Sequence, residues 1–386
     1  TGPNSKFLSK DIITTFRGRG DELYLRPLSF NEFYQTKQDT SFERAWNEYI
    51  TYGGLPYCAL LKTHEEKDEY LKNLFKEVYL KDILERNNIH GEYAFEQLLN
   101  IISSGIGSLT NLRKLENTYK SEINLSISVN TINHYLECLE DAFLIERSDR
   151  YDVKGRKYIS TQQKYYFTDL GLRNSRLNFR QFEETHLMEN AIYNELRYRG
   201  YSIDIGIVEI NERQINGKYI RKQIEIDFVC NKGAERIYIQ SAYSTSSLEK
   251  EQQEKRPLNN INDSFRKIIV VKDDILTRKD ENGIITMGLK DFITNKNSID
   301  NIIKDTLKAA KSNPYRKDFK QAFITLMNPQ TGEIIAMSGQ QITDDGDFIP
   351  FASGNYLQSF LPGSTVKPGV LYMGLNEGAV KVNEII

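Results

Sequence analysis

The sequence predicts a multidomain α/β chain, and three patterns predict it. Apolar residues recur at helical spacing from Phe42 to about Asn88. From about residue 90 to 174 the pattern is helix, helix, strand, a Gly-Arg-Lys turn and a second strand. Beyond Phe182 strands alternate with helices, and a hairpin follows at 321–339.

The bulk composition narrows the function classes. A chain of 386 residues has room for about two to four domains, each with its own core. Hydrophobic residues at 39% and charged residues at 27% fit soluble globular material. Lys+Arg at 51 against Asp+Glu at 53 gives a net charge of −2, so nucleic-acid binding would have to be local. Cys58, Cys138 and Cys230 are scattered, which suits a reducing compartment without a disulfide framework. The 4 histidines are single and scattered, so no metal site is assigned. No apolar run approaches the roughly 20 residues that span a bilayer. The opening "TGPNSKFLSKDI" reads as the interior of a protein.

Taken in order, "YLKNLFKEVYLKDILERN" (70–87) sets Leu71, Leu74, Phe75, Val78 and Ile83 on one helical stripe. "YGGLPY" (52–57) interrupts the helical region with paired glycines and a proline. Ser128 or Asn130 caps the next helix, which turns Ile132, Tyr135, Leu136 and Leu139 inward. "AFLIERSDRYD" (142–152), a turn at 155–157 and "KYYFTDLGLRN" (164–174) complete a winged helix-turn-helix. Its 128–140 helix would present Asn130 and Asn133 to adenine edges, and Lys154, Arg156 and Lys157 on the wing would meet phosphates. The partner is DNA or, if the module docks, a protein. "THLMENAIYNELRYRGY" (185–201) is an amphipathic helix ending on Gly200. "IEIDFVC" (224–230), "RIYIQSAYS" (236–244) and "FRKIIVVKD" (265–273) are strands, with a helix between the last two. The pattern changes near Lys296–Asp300, and "QAFITLMNPQTGEIIAMSG" is a hairpin turning on Asn-Pro-Gln-Thr-Gly.

Several blocks follow one another in a fixed order: "TGPNSKFLS", "FRGRGDELYLRPLSFNEF", "YGGLPY", "YLKDILERN", "NTINHYLECLEDAFLIERSDRYDVKGRKY", "KYYFTDLGLRN" and "EIDFV". In these blocks residues 1–295 resemble the C-terminal part of a prokaryotic AAA-type ATP-binding protein. The resemblance implies the end of an ATPase core and a helical lid over 1–90, a winged helix over 91–175, and a restriction-endonuclease-like domain over 180–295. It implies that the polar loop with Thr1 and Asn4 holds the attacking water and that Arg19 or Arg17 stabilises charge on the transferred phosphoryl group. ATP and Mg²⁺ are the cofactors of the complete family. The Gly-x-x-x-x-Gly-Lys-Ser/Thr loop does not occur in this sequence, so the chain as given is expected to bind no cofactor and to hydrolyse no ATP.

The endonuclease-like fold wants an acid on a helix, an Asp on a strand and Glu-x-Lys on the next strand. Glu189 and Asp227 fill the first two places, and Gln240-Ser241-Ala242 stands in the third. A neutral amide serves a hard cation less well, and the lysine is missing. The expectation is a nuclease fold kept for binding or scaffolding.

Residues 301–386 bring a second resemblance, carried by the Asn-Pro-x-Thr-Gly-Glu hairpin and "FASGNYLQSFLPGSTVKPGVLYMGLNEGAV" (351–380). They resemble the start of a penicillin-binding protein transpeptidase domain, of serine β-lactamase-like fold. Ser364 would be the nucleophile, and Lys367 at i+3 would share its helix face and take its proton. The implied ligand is a β-lactam or a peptidoglycan stem peptide, and the implied activity is D,D-transpeptidation. No Lys-Thr-Gly occurs, so the serine site is expected to be incomplete. The first resemblance implies the cytoplasm; the second implies a membrane-anchored, extracytoplasmic parent. The expectation is two gene fragments, each truncated, joined near 296–305.

Overall fold

The computed structural model describes residues 25–37, 40–213, 217–233, 235–244, 248–294, 321–327, 334–343 and 348–350. Contacts divide the chain into two units, Thr1–Ser298 and Ile299–Ile386.

The first unit opens with short helices. α1 (Phe30–Gln35) starts on a Ser29–Glu32 capping box, and α2 (Phe42–Tyr52) starts on Ser41 and ends at Gly53. Gly53 takes φ +77°, the left-handed turn that glycine allows. α3 (Pro56–Leu60) begins with proline in its first turn. α4 (His64–Asn73) runs into a π-helical stretch (Leu74–Leu80) and then α5 (Lys81–Arg86). The expected stripe holds for Leu71, Phe75 and Ile83, which are buried, and Leu74 is partly buried; the side chain of Val78 lies outside the described residues. The period alone did not show the wider π turn.

α6 (Glu92–Ser104), α7 (Leu112–Ser121) and α8 (Val129–Asp141) pack together, and Ser128, rather than Asn130, caps α8 by accepting the Thr131 N–H. Ile132, Tyr135, Leu136 and Leu139 are buried, as their spacing requires. β1 (Ile145–Asp152) and β2 (Lys157–Phe167) form an antiparallel hairpin. Thr110, between α6 and α7, adds a bridge to Gln163 of β2 through two backbone hydrogen bonds of 2.7 and 3.1 Å. The second strand therefore begins at Lys157 and stops at Phe167. Asp169 accepts the Leu172 N–H and starts α9 (Leu170–Arg176), so "DLGLRN" is helical where the sequence suggested strand.

α10 (Glu184–Tyr198) leads through Gly200, at φ +82°, into β3 (Ser202–Arg213), a strand that the sequence reading passed over. β4 (Tyr219–Lys232), β5 (Glu235–Ala242), α11 (Leu248–Asn259), β6 (Arg266–Val271), β7 (Arg278–Lys279), β8 (Ile284–Gly288) and α12 (Leu289–Thr294) follow. The sheet is mixed and eight-stranded, in the order β2-β1-β3-β4-β5-β6-β8-β7. β1 pairs with β3 in parallel, Tyr151 opposite Gly206, so the hairpin of the expected 91–175 module continues the sheet of the expected 180–295 module. Leu187, Ala191 and Leu196 of α10 join one core with the helices, while Leu258 and Ile261 join Val208, Ile226 and Val229 in a second core. β4 and β5 contribute to both cores, which explains their near-continuous apolar runs.

The second unit shows β9 (Gln321–Met327), β10 (Ile334–Ile342) and β11 (Phe348–Pro350) as an antiparallel sheet in the order β11-β10-β9. β9 and β10 are the expected hairpin strands; the Asn-Pro-Gln-Thr-Gly turn lies outside the described residues. Among the described residues no helix is long and apolar enough to cross a membrane.

Candidate functional site

The structure brings Glu189, Asp227 and Gln240 together, and adds three residues that the sequence reading missed. α10 carries Glu189 against the sheet, β4 carries Asp227, and β5 carries Gln240. Strand alternation puts Glu225 on the face of Asp227, and puts Lys164 and Tyr166 of β2 on one face. Lys164 Nζ lies 3.0 Å from Glu189 Oε1 and 2.7 Å from Glu225 Oε1. Tyr166 donates its hydroxyl to Glu189 Oε1 at 2.7 Å. Asp227 Oδ2 accepts the Ser241 N–H at 2.7 Å, while Gln240 Oε1 accepts the Asp227 N–H at 3.4 Å. Gly107, at φ +70°, is backed closely onto the cluster, since a Cβ there would stand 3.4 Å from Glu189 Oε1.

Burial and charge set the protonation states. Lys164, Glu189 and Asp227 are all buried, at 4%, 8% and 8% exposure. Burial pushes the Asp227 carboxyl well above the ordinary carboxylate range, and the Glu189 charge adds to it; Lys164 opposes both. For Lys164, burial favours the neutral amine, but the charges of Glu189, Asp227 and Glu225 win and hold its pKa above the usual lysine value. Burial, then the Glu189 charge, keeps the Tyr166 phenol protonated, so it donates and does not act as a base.

These residues do not fit a divalent cation. The ammonium of Lys164 already bridges two of the three carboxylates, and Gln240 spends its oxygen on the backbone of Asp227. Among the described residues no group of three or more His, Cys, Asp or Glu is arranged to hold a metal ion. A lysine held charged does not deprotonate water. Ala242 stands where the sequence reading looked for a lysine, and Lys164 reaches the cluster from a different strand. Its signal in the sequence was a lysine two positions before Tyr166, and so on the same strand face, in "KYYF".

The nucleic-acid candidates are placed as follows. Asn130 is exposed, whereas Asn133 donates its Nδ2 to Glu137 Oε1 at 2.8 Å. Glu137, Glu140 and Asp141 share that helix, which weakens its attraction for phosphates. Lys154, Arg156 and Lys157 are exposed on the hairpin turn, with Lys154 Nζ donating to Glu209 O at 2.8 Å. Thr1, Asn4, Arg17, Arg19, Ser364 and Lys367 lie outside the described residues.

Comparison with known proteins gives each unit a relation. Residues 43–183 match the family described as a domain of unknown function, DUF8612. Residues 322–386 match the penicillin binding protein transpeptidase domain. The chain thus carries one region similar to DUF8612 and another similar to the transpeptidase domain. An uncharacterised protein of Haemophilus influenzae is 31% identical over 274 residues, which cover 70% of this chain and 64% of that protein. An uncharacterised protein of Methanocaldococcus jannaschii is 32% identical over 292 residues, 73% of this chain and 62% of that protein. The match thus spans less than two thirds of either relative. Penicillin-binding protein 2A of Bacillus subtilis is 30% identical over 137 residues, 35% of this chain and 19% of that protein. No solved structure matches. The DUF8612 match runs from α2 to α9 and includes the β1–β2 hairpin with Lys164 and Tyr166, but ends before Glu189, Asp227 and Gln240.

Proposed function

We propose that residues 1–295 are the binding half of an AAA-type ATP-binding protein, in which a winged helix and a silent nuclease-like domain hold nucleic acid without cutting it. The carrying observation is the bridge from Lys164 to Glu189 and Glu225, beside a carboxyl of Asp227 that burial favours as the neutral acid. A fixed internal cation occupies the electrostatic role that a metal would fill, so the acids are spent on structure. The winged-helix reading is supported by the order of α6, the Thr110 bridge, α7, α8, β1 and β2. In the ATPase reading Thr1 and Asn4 would hold the attacking water and Arg19 or Arg17 would stabilise the transferred phosphoryl group, with ATP and Mg²⁺ belonging to the complete protein. The cytoplasm is the compartment this half implies. A protein partner on the α8 face is the competing occupant, and the acids of that helix favour it over duplex DNA there.

The test pairs binding with cleavage. Purified chain should bind DNA with a steep salt dependence that weakens in Arg156→Ala, and should not nick it in Mg²⁺ or Mn²⁺. Metal-dependent nicking abolished by Asp227→Ala would overturn the silent-nuclease reading.

A second reading concerns residues 301–386, and the transpeptidase match favours it. There Ser364 is the acylated nucleophile and Lys367 its base, in an extracytoplasmic D,D-transpeptidase acting on peptidoglycan stem peptides. A labelled β-lactam adduct at Ser364, lost in Ser364→Ala, supports it; labelling that persists in that variant excludes it.

A further inference from the structure

A row of aromatic rings crosses the sheet beside the β1–β2 turn, away from the acid cluster. Tyr158 and Tyr151 meet edge to face at 5.5 Å. The Arg236 guanidinium lies 5.3 Å from the Tyr151 ring and 5.6 Å from the Phe265 ring, and Phe265 stands 6.4 Å from Tyr238. The row borders a cleft of about 530 Å³ whose lining includes Tyr151, Lys154, Arg156, Arg236, Asp263 and Phe265. That size lies within the range of roughly 300–1,000 Å³ for ligand pockets. Tyr158 and Phe265 remain 65% and 40% exposed, so their faces are available. They are also held in place. Tyr158 donates its hydroxyl to Asp204 at 3.2 Å, and Arg236 donates Nε to Asn231 Oδ1 at 2.7 Å.

The charges around the row are uneven in a useful way. Its acids already accept hydrogen bonds: Asp263 from Tyr238 at 2.6 Å, Glu235 from Tyr201 at 2.9 Å, and Asp152 from the Gly155 N–H at 2.9 Å. Arg156, Lys157 and Arg266 are exposed and form no ion pair among the described residues. Exposed aromatic faces interleaved with free cations suit a ligand that has flat π surfaces and a polyanionic backbone. A duplex hides its base faces inside its own stack, so it can use the cations but not the rings.

We propose that this cleft binds single-stranded nucleic acid, with bases stacked on Tyr158 and Phe265 and phosphates drawn to Arg156 and Lys157. The proposal rests on the nucleic-acid reading of this unit and narrows it to one ligand form and one site. Each base–ring stack contributes enough that losing one ring should weaken binding at least about fivefold.

The experiment measures anisotropy of a labelled oligo(dT) of roughly 15 nucleotides, alongside a duplex of the same length, with the full chain. Tyr158→Ala and Phe265→Ala should each weaken oligo(dT) binding at least fivefold or so and leave duplex binding unchanged. Phe265→Leu, which keeps apolar volume and removes the π face, should behave like Phe265→Ala, with thermal melting to confirm the fold. Arg156→Ala should weaken both ligands. Oligo(dT) binding unmoved by the ring variants overturns this proposal. Duplex binding without oligo(dT) binding also overturns it, while the broader reading stands. Binding to neither overturns both.

Discussion

Asp169 Oδ2 accepts the Gly54 N–H at 2.8 Å, across 115 residues of sequence. The bond joins "YGGLPY" to "TDLGLRN", two blocks that the sequence shows only as separate motifs. Asp169 Oδ1 meanwhile caps α9 through Leu172 N at 3.0 Å. A Cβ on Gly53 would run into the Asp169 carboxylate, and one on Gly171 would run into the Tyr52 carbonyl, so both glycines are required by close approach. Asn174 Nδ2 donates to Ile50 O and Thr51 O at 2.8 and 2.9 Å, and Arg173 Nε donates to Ser103 O at 2.8 Å. One short helix thus satisfies last-turn carbonyls of both α2 and α6.

Asp169→Ala should be strongly destabilising. It leaves the Gly54 and Leu172 N–H groups buried without their acceptor, at about 1–3 kcal/mol each. Thermal melting should show the midpoint falling by several degrees, with the α2 and α9 amides losing exchange protection together. An unchanged midpoint would remove this clamp from the account.

The same residue makes a pH prediction. Burial pushes the Asp169 pKa up to about 6, against the bonds from Leu172 and Gly54 that pull it down. A raised folded-state pKa gives stability that is full below the ordinary value of 3.8 and is lost as pH rises through about 6. The shift of about two units corresponds to about 3 kcal/mol. Urea denaturation of the wild type should therefore show a downward slope in stability from pH 4 to 7 that Asp169→Ala lacks. Parallel slopes in the two proteins would contradict it.

Lys164→Met should unfold the acid cluster from within. Removing one partner of a buried ionic group costs about 3–5 kcal/mol, because the remaining charges lose their counter-ion. Lys164 has a raised pKa, so its contribution is present throughout neutral pH and is lost only as pH climbs past the ordinary lysine range. The stability gap between wild type and Lys164→Met should hold through neutral pH and narrow as pH rises past the ordinary lysine range. A constant gap would show that the lysine contributes packing alone.

The parts of this structure that the sequence made legible are those governed by local rules. Ser128 caps α8, the apolar positions of α8 and α10 point inward, and β4, β5 and β6 follow their apolar runs. What stayed hidden depends on contacts between distant segments. β3 escaped because Asp204, Glu209 and Glu212 interrupt its apolar pattern, and because β1 covers its edge in parallel. "DLGLRN" looked extended because its glycine disfavours a helix; the cap from Asp169 and the bonds made by Asn174 outweigh that preference. Of the acid cluster, Glu189, Asp227 and Gln240 were legible by type and order. Lys164 was not, because its strand lies across β1 and β3 from β4 in the sheet.

Tyr166 and Glu189 offer the sharpest test of whether the cluster acts as one unit. The Tyr166 ring is fully buried, stacks on Tyr193 at 4.1 Å, and sends its hydroxyl to the same Glu189 oxygen that Lys164 approaches. Tyr166→Phe keeps the stack and removes only the donor, which should cost about 1.5–3 kcal/mol as a hydrogen bond to a charged group. Glu189→Gln removes the charge that Lys164 and Tyr166 share. If the three groups are one network, the double variant should be less destabilised than the sum, with a coupling of about 0.5–3 kcal/mol from denaturant melts. Exact additivity would mean that Tyr166 and Lys164 serve Glu189 independently. Coupling that disappears in a Lys164→Met background would show instead that the ammonium organises the phenol–carboxylate bond through the Glu189 oxygen it shares with Tyr166.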